Sequence, residues 1–133
     1  MGAGASAGPE DGSAQLVEKM EKGGVDRAIA LEFVVKNTIE NPHLKLTEEH
    51  VDLITAVVDV AAGGEGQMRV DACCIIRNMS VDNRNKKFLC NPALRLVTAL
   101  QRTIFEDTNN ARVHACCVLQ NLATVDENRV ALC

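Results

Sequence analysis

The chain has 133 residues, enough for one domain with a core of ordinary size. It is 47% hydrophobic yet carries three Phe and no Tyr or Trp, which suits close helix packing and argues against a β-sandwich, whose strands favour aromatics. Residues 1–65 hold 12 acids against 5 bases and residues 66–133 hold 6 against 9, so the acidic half excludes a continuous nucleic-acid-binding face and the basic half leaves room for an acidic partner.

Residues 1–12 are small and unpatterned, and read as a disordered tail ahead of a domain over 13–133. Ser13 is the expected N-cap of a short helix over about 14–22, ended by Gly23-Gly24. A second helix from Val25 to Ile39 aligns Ala28, Leu31, Val34 or Val35, and Thr38 on one stripe, and Asn41-Pro42 stops it. Thr47 caps the next helix, with Leu46 and Val51 spaced as a hydrophobic staple. Val51, Ile54, Val57, Val58 and Ala61 face inward, and Gly63-Gly64 gives a left-handed exit. A helix from Gln67 to Val81 follows, almost wholly apolar from Ala72 to Ile76. Asn83 caps a short helix from Arg84 to Cys90, and Asn91 caps a helix with Pro92 at its first position that runs to Phe105. A last long helix covers Ala111 to Thr124, followed by the start of another short helix over Glu127 to Cys133.

Arg69 to Asn78 reads RVDACCIIRN and Arg112 to Asn121 reads RVHACCVLQN, an offset of 43 residues. The match continues through Asn85 with Asn128, Leu89 with Leu132 and Cys90 with Cys133, so 9 of 22 positions are identical. A sustained period of about 40–47 residues marks a HEAT or armadillo solenoid, an architecture that builds elongated protein-binding surfaces. The expected fold is therefore all-α, a right-handed α-solenoid of about two and a half repeats.

Each long helix ends in an apolar–polar–Asn–apolar step: ACCIIRNMS (Ala72 to Ser80), ACCVLQNLA (Ala115 to Ala123) and, more faintly, LEFVVKNTI (Leu31 to Ile39). With the order short, medium, long helix, this resembles the armadillo-repeat family, whose third helix often reads A-L-W-A-L-S-N-L. The resemblance covers residues 25–133. It implies a concave groove lined by third helices, whose terminal Asn hydrogen-bonds the backbone of a bound peptide. Asn78 and Asn121 fall on that Asn directly and Asn37 weakly. Phe33, Cys74 and Cys117 lie one turn earlier, and Lys36, Arg77 and Gln120 precede the Asn residues. Import adaptors of the family carry Trp one turn before the Asn and take basic cargo. Lys36 and Arg77 instead imply the catenin-like case, an extended or helical acidic segment. The same Asn residues also suit capping of their helices, and the residues alone leave both roles open.

No nucleophile–base set, phosphate-cradling loop or paired-carboxylate site stands out, so no enzyme or cofactor is expected. Cys73, Cys74, His114, Cys116 and Cys117 are a poor zinc set, because adjacent helical residues diverge by about 100° and zinc needs tetrahedral ligands. Cys73 and Cys116 are expected in the core, and Cys74 and Cys117 in the groove as reactive thiols. Without a secretory signal or an apolar run of about 18–20 residues, the cysteines point to the reducing cytoplasm. Met1-Gly2-Ala3-Gly4-Ala5-Ser6 fits the N-myristoylation pattern at Gly2, and a single acyl chain gives weak membrane association. Self-association through an open solenoid end, and a piece of a larger armadillo scaffold, are the competing readings.

Overall fold

A computed structural model describes residues 9–41, 44–64, 66–107 and 110–125. Among these residues the structure is all-α: α1 (Pro9–Lys22), α2 (Gly24–Glu40), α3 (Val51–Gly63), α4 (Gly66–Met79), α5 (Asn83–Leu89), α6 (Leu96–Glu106) and α7 (Asn110–Leu122). Two short 3-10 turns, Glu48–His50 and Pro92–Leu94, precede α3 and α6.

Several boundaries depart from expectation, each for a local reason. The first helix starts at Pro9, so Ser13 lies inside α1 and does not cap it; proline at the first helical position has its φ already set. Gly63-Gly64 is not a left-handed exit, since Gly64 has φ −77°. Its glycine is required by space, because a Cβ there would lie 2.5 Å from the Val60 carbonyl oxygen. Asp82, not Asn83, caps α5 and accepts from Arg84 N at 2.9 Å. The expected helix from Pro92 to Phe105 is two pieces. Asn91 Oδ1 accepts from Ala93 N at 3.0 Å, but the turn ends at Arg95, whose φ of 55° redirects the chain into α6. That break lets Leu94 and Leu96, on either side of it, both be buried. Thr47 is the N-cap of the 3-10 turn that leads into α3 and not of α3 itself, whose N-cap is His50; the Thr47 N–H donates to His50 Nδ1 at 3.0 Å across that turn.

The helices stack in two layers. In one, α1 packs on α3 and α3 on α6; in the other, α2 packs on α4 and α4 on α7. Across the layers α1 meets α2, α3 meets α4 and α6 meets α7. The interior consists of Leu, Ile, Val, Ala and Met side chains, with Leu31, Ile54, Ile75, Leu100 and Val118 fully buried. α3 sits between α1, α4 and α6, so seven of its thirteen residues are buried and its polar face is reduced to a strip. On α2 the stripe is Ala30, Leu31, Val34 and Thr38, with Ala28 and Val35 only half-buried.

One polar tie recurs at each layer crossing. The last carbonyls of a helix have no partner within it, and an arginine on the following helix reaches back to them. Arg27 Nε donates to Met20 O at 2.7 Å, Arg69 Nε to Ala61 O at 2.9 Å and Arg112 Nε to Ile104 O at 2.9 Å. The 43-residue repetition of the sequence is thus a repeated bond: Arg69 and Arg112, like Ala61 and Ile104, are 43 apart.

Candidate functional site

The layer α2–α4–α7 presents three matched rows, each with residues four apart and so one above another on a helix face. They are Ile29, Phe33 and Asn37 on α2; Val70, Cys74 and Asn78 on α4; and Val113, Cys117 and Asn121 on α7. Phe33 and Asn37 are exposed, while Cys74, Asn78, Cys117 and Asn121 are half-buried. Beside them, Lys36 and Gln120 are exposed and Arg77 is half-buried.

Asn78 and Asn121 bridge neighbouring helices. Asn78 Nδ2 donates to Thr38 Oγ1 at 3.0 Å, and Asn121 Nδ2 donates to Ser80 Oγ at 2.9 Å. The orientation of each amide is dictated by its partner. Thr38 spends its hydroxyl proton on Val35 O at 2.8 Å, and Ser80 spends its own on Arg77 O at 2.8 Å. Each hydroxyl oxygen can then only accept, so each Asn must turn its NH2 inward. Among the described residues no hydrogen bond uses Oδ1 of Asn78 or Asn121. Neither residue makes a left-handed helix exit, since Arg95 is the one described non-glycine residue with positive φ. Asn37 is different: Asn41 Nδ2 donates to its Oδ1 at 2.7 Å and to its carbonyl at 3.0 Å, which ties it into the end of α2.

Arg77 Nη1 lies 3.0 Å from His114 Nδ1 on the neighbouring helix. Burial, and then the charge of Arg77, hold the His114 pKa below its ordinary 6.5. The ring is therefore neutral, accepts at Nδ1 and carries its proton on Nε2. The copies differ at this point, His114 standing where the other long helix has Asp71, and the imidazole braces Arg77 without neutralising it.

The thiols divide differently from expectation. Cys73 is buried, 4.0 Å from Thr103 Oγ1, and burial pushes its pKa to about 11. Cys116 was expected to match it in the core but is exposed. The difference is packing: α6 lies over Cys73, and no described helix covers the equivalent face of α7. Cys74 is half-buried, and its pKa is raised by burial and by Asp71, so it is held as a thiol and lacks the depressed pKa of a reactive cysteine. Among the described residues, no three His, Cys, Asp or Glu are placed to hold a metal ion, and no helix is long and apolar enough to cross a membrane. Gly2 and the short helix expected over Glu127 to Cys133 lie outside the described residues.

A cleft of about 380 Å³ opens next to Asn37, between α2, the 44–46 segment and α3; Phe33, Leu44, Leu46, His50, Leu53 and Met79 form much of its wall. It was not visible in the sequence, because its walls come from segments brought together by the fold. Two structural anchors were also missed. Asn85 is fully buried, accepts from Leu46 N at 2.7 Å and donates to Leu44 O at 2.8 Å and Met79 O at 3.1 Å. Arg69 is 3% exposed, bonds Ala61 O and Ala62 O, and pairs with Glu106 and Asp107 at 2.9 Å each. Both belong to repeat-matched pairs, Asn85 with Asn128 and Arg69 with Arg112, which was the available signal. Against known proteins, the chain matches no family model, no curated protein and no solved structure.

Proposed function

We propose that the chain is a non-enzymatic, armadillo-type interaction module, a right-handed solenoid of about two and a half repeats. Its partner is an extended or helical acidic segment of another protein, held along the α2–α4–α7 rows. The observation that carries this reading is the pair of amides at Asn78 and Asn121. Each NH2 group is anchored by one N–H on an inter-helix hydroxyl, and the Oδ1 acceptors are left for the N–H groups of a guest backbone. Lys36 and the braced Arg77 supply positive charge for acidic side chains. The apolar cleft beside Asn37 suits one large aliphatic side chain of the guest. A reducing cytoplasmic setting agrees with the five described cysteines, all free. Acylation at Gly2 would add weak membrane affinity, and intact mass after co-expression with an N-myristoyltransferase tests it.

The groove reading is tested by two double variants. Asn78→Ala with Asn121→Ala removes the free acceptors and the inter-helix bonds together. Thr38→Val with Ser80→Ala removes the inter-helix bonds, and the hydroxyls' own bonds to Val35 O and Arg77 O, while keeping both amide groups. Peptide binding lost in the first and kept in the second supports the groove; equal behaviour in both, with folded protein, reduces the Asn residues to braces. A self-assembling element is the second reading, favoured by the exposure of Phe105 (83%), Val113 (54%) and Cys116 on α6 and α7.

A further inference from the structure

On α2 the outward residues Val25, Ile29, Glu32, Lys36 and Ile39 are spaced 4, 3, 4 and 3. That spacing is the a/d seam of a coiled coil, in which one helix lays its knobs into the holes of another. The seam is not covered: Val25 is 74% exposed, Ile29 54% and Ile39 64%, with Phe33 at its flank 54% exposed. Ile29, Glu32, Lys36 and Ile39 share one shallow surface trough. Three or more large apolar side chains in one exposed row mark an interaction surface and not ordinary scatter.

The charges say what covers it. In a parallel pairing of two copies, Glu32 would meet Glu32 and Lys36 would meet Lys36, like against like. In an antiparallel pairing centred at residue 34, each a-layer meets a d-layer of the other copy. Ile29 then shares a layer with Ile39 of the second copy, and Glu32 shares one with its Lys36, twice over by the two-fold symmetry. Among the described residues, neither Glu32 nor Lys36 is engaged in an ion pair. We infer that this face of α2 is a homodimer interface, an antiparallel two-helix seam in which the aliphatic layers give affinity and the central Glu32–Lys36 layers set orientation and register. A charged layer within an apolar seam is a known device for fixing register at some cost in stability. In this register Val25 falls beyond the paired layers, so the seam runs from Ile29 to Ile39, about 15 Å at 1.5 Å per residue, and the dimer is weak and concentration-dependent. It shares Ile29 and Lys36 with the proposed groove, so dimer and acidic segment compete for this face of α2, but it uses none of Asn78, Asn121 or Arg77.

Sedimentation equilibrium of the full chain at rising concentration tests it, using Glu32→Lys and Lys36→Glu separately and mixed. Each single variant puts like charges in both central layers and weakens self-association by about tenfold or more. The mixture pairs Lys at 32 and 36 of one copy with Glu at both positions of the other, and restores a dimer that neither variant forms alone. A wild type that is monomeric at every concentration overturns the proposal. So does a dimer indifferent to both substitutions, or a mixture no stronger than its components. Far-ultraviolet circular dichroism of each variant verifies the fold, which exposed charge changes on α2 leave intact.

Discussion

Asn85→Ala should be among the most damaging single changes in this protein. The side chain is fully buried and holds three main-chain groups: the Leu46 N–H, the Leu44 carbonyl and the Met79 carbonyl. Leu44 is 40% exposed, so water can replace that bond. Leu46 and Met79 are 3% and 6% exposed, and their groups would be left unpaired. An orphaned buried polar group costs about 1–3 kcal/mol, so the two together cost about 3–4 kcal/mol. With an unfolding entropy of about 2.1 cal/mol/K per residue, that lowers Tm by about 10–14 °C. Urea and thermal unfolding followed by circular dichroism measure it. Asn85→Asp, which keeps the acceptor for Leu46 N but loses both donations, should also be destabilised. A loss under about 1 kcal/mol for the alanine variant would refute the role assigned to Asn85.

Other expectations follow from the same bonds. Arg69→Met should cost about 3–5 kcal/mol, because it strips a buried cation from two carbonyls and two carboxylates. Arg112→Met, which removes one described carbonyl bond, should cost clearly less, and comparable urea midpoints would contradict that ranking. The hydrogen bond from Arg69 holds the Glu106 pKa below its ordinary 4.5, with Arg102 adding to it and burial opposing. Its folded value is the lower one, so its contribution is complete above pH 4.5 and is lost as pH falls through that folded value. Glu106→Gln should therefore lower stability near neutrality, with the gap to wild type closing in acid. Peptide mapping after brief maleimide treatment should find Cys116 modified and Cys73 spared, since one is exposed and the other is buried with a pKa of about 11. Arg95→Gly should stabilise by about 0.5–1 kcal/mol because φ is 55° there and the side chain is exposed.

The elements were legible because the chain punctuates them chemically. Gly23-Gly24, Thr47 and Asn91 mark boundaries that the structure uses, and the apolar spacing of Ile54, Val57, Val58 and Ala61 gives the buried face of α3. Errors arose where a local signal has two physical uses. Gly64 looked like a left-handed exit and is instead a close approach to Val60. Pro92 was expected to open a helix running to Phe105 and opens only a short 3-10 turn, because nothing around Arg95 signals the left-handed residue that ends it. Cys116 shows the limit of repeat matching: equal residues acquire equal burial only where the next layer is present, as α6 is over Cys73. The Asn positions were found from sequence, but their orientation depends on Thr38 and Ser80, some 40 residues away. No periodicity reveals which hydroxyl has already given its proton to a carbonyl.

The central claim, a groove for acidic segments read by free amide oxygens, is tested most directly by selecting a displayed random-peptide library on the full chain and on both double variants. Wild type and the Thr38→Val/Ser80→Ala protein should enrich the same acid-rich sequences, and the Asn78→Ala/Asn121→Ala protein should not. Enrichment of basic sequences, or the same sequences from all three proteins, would contradict it.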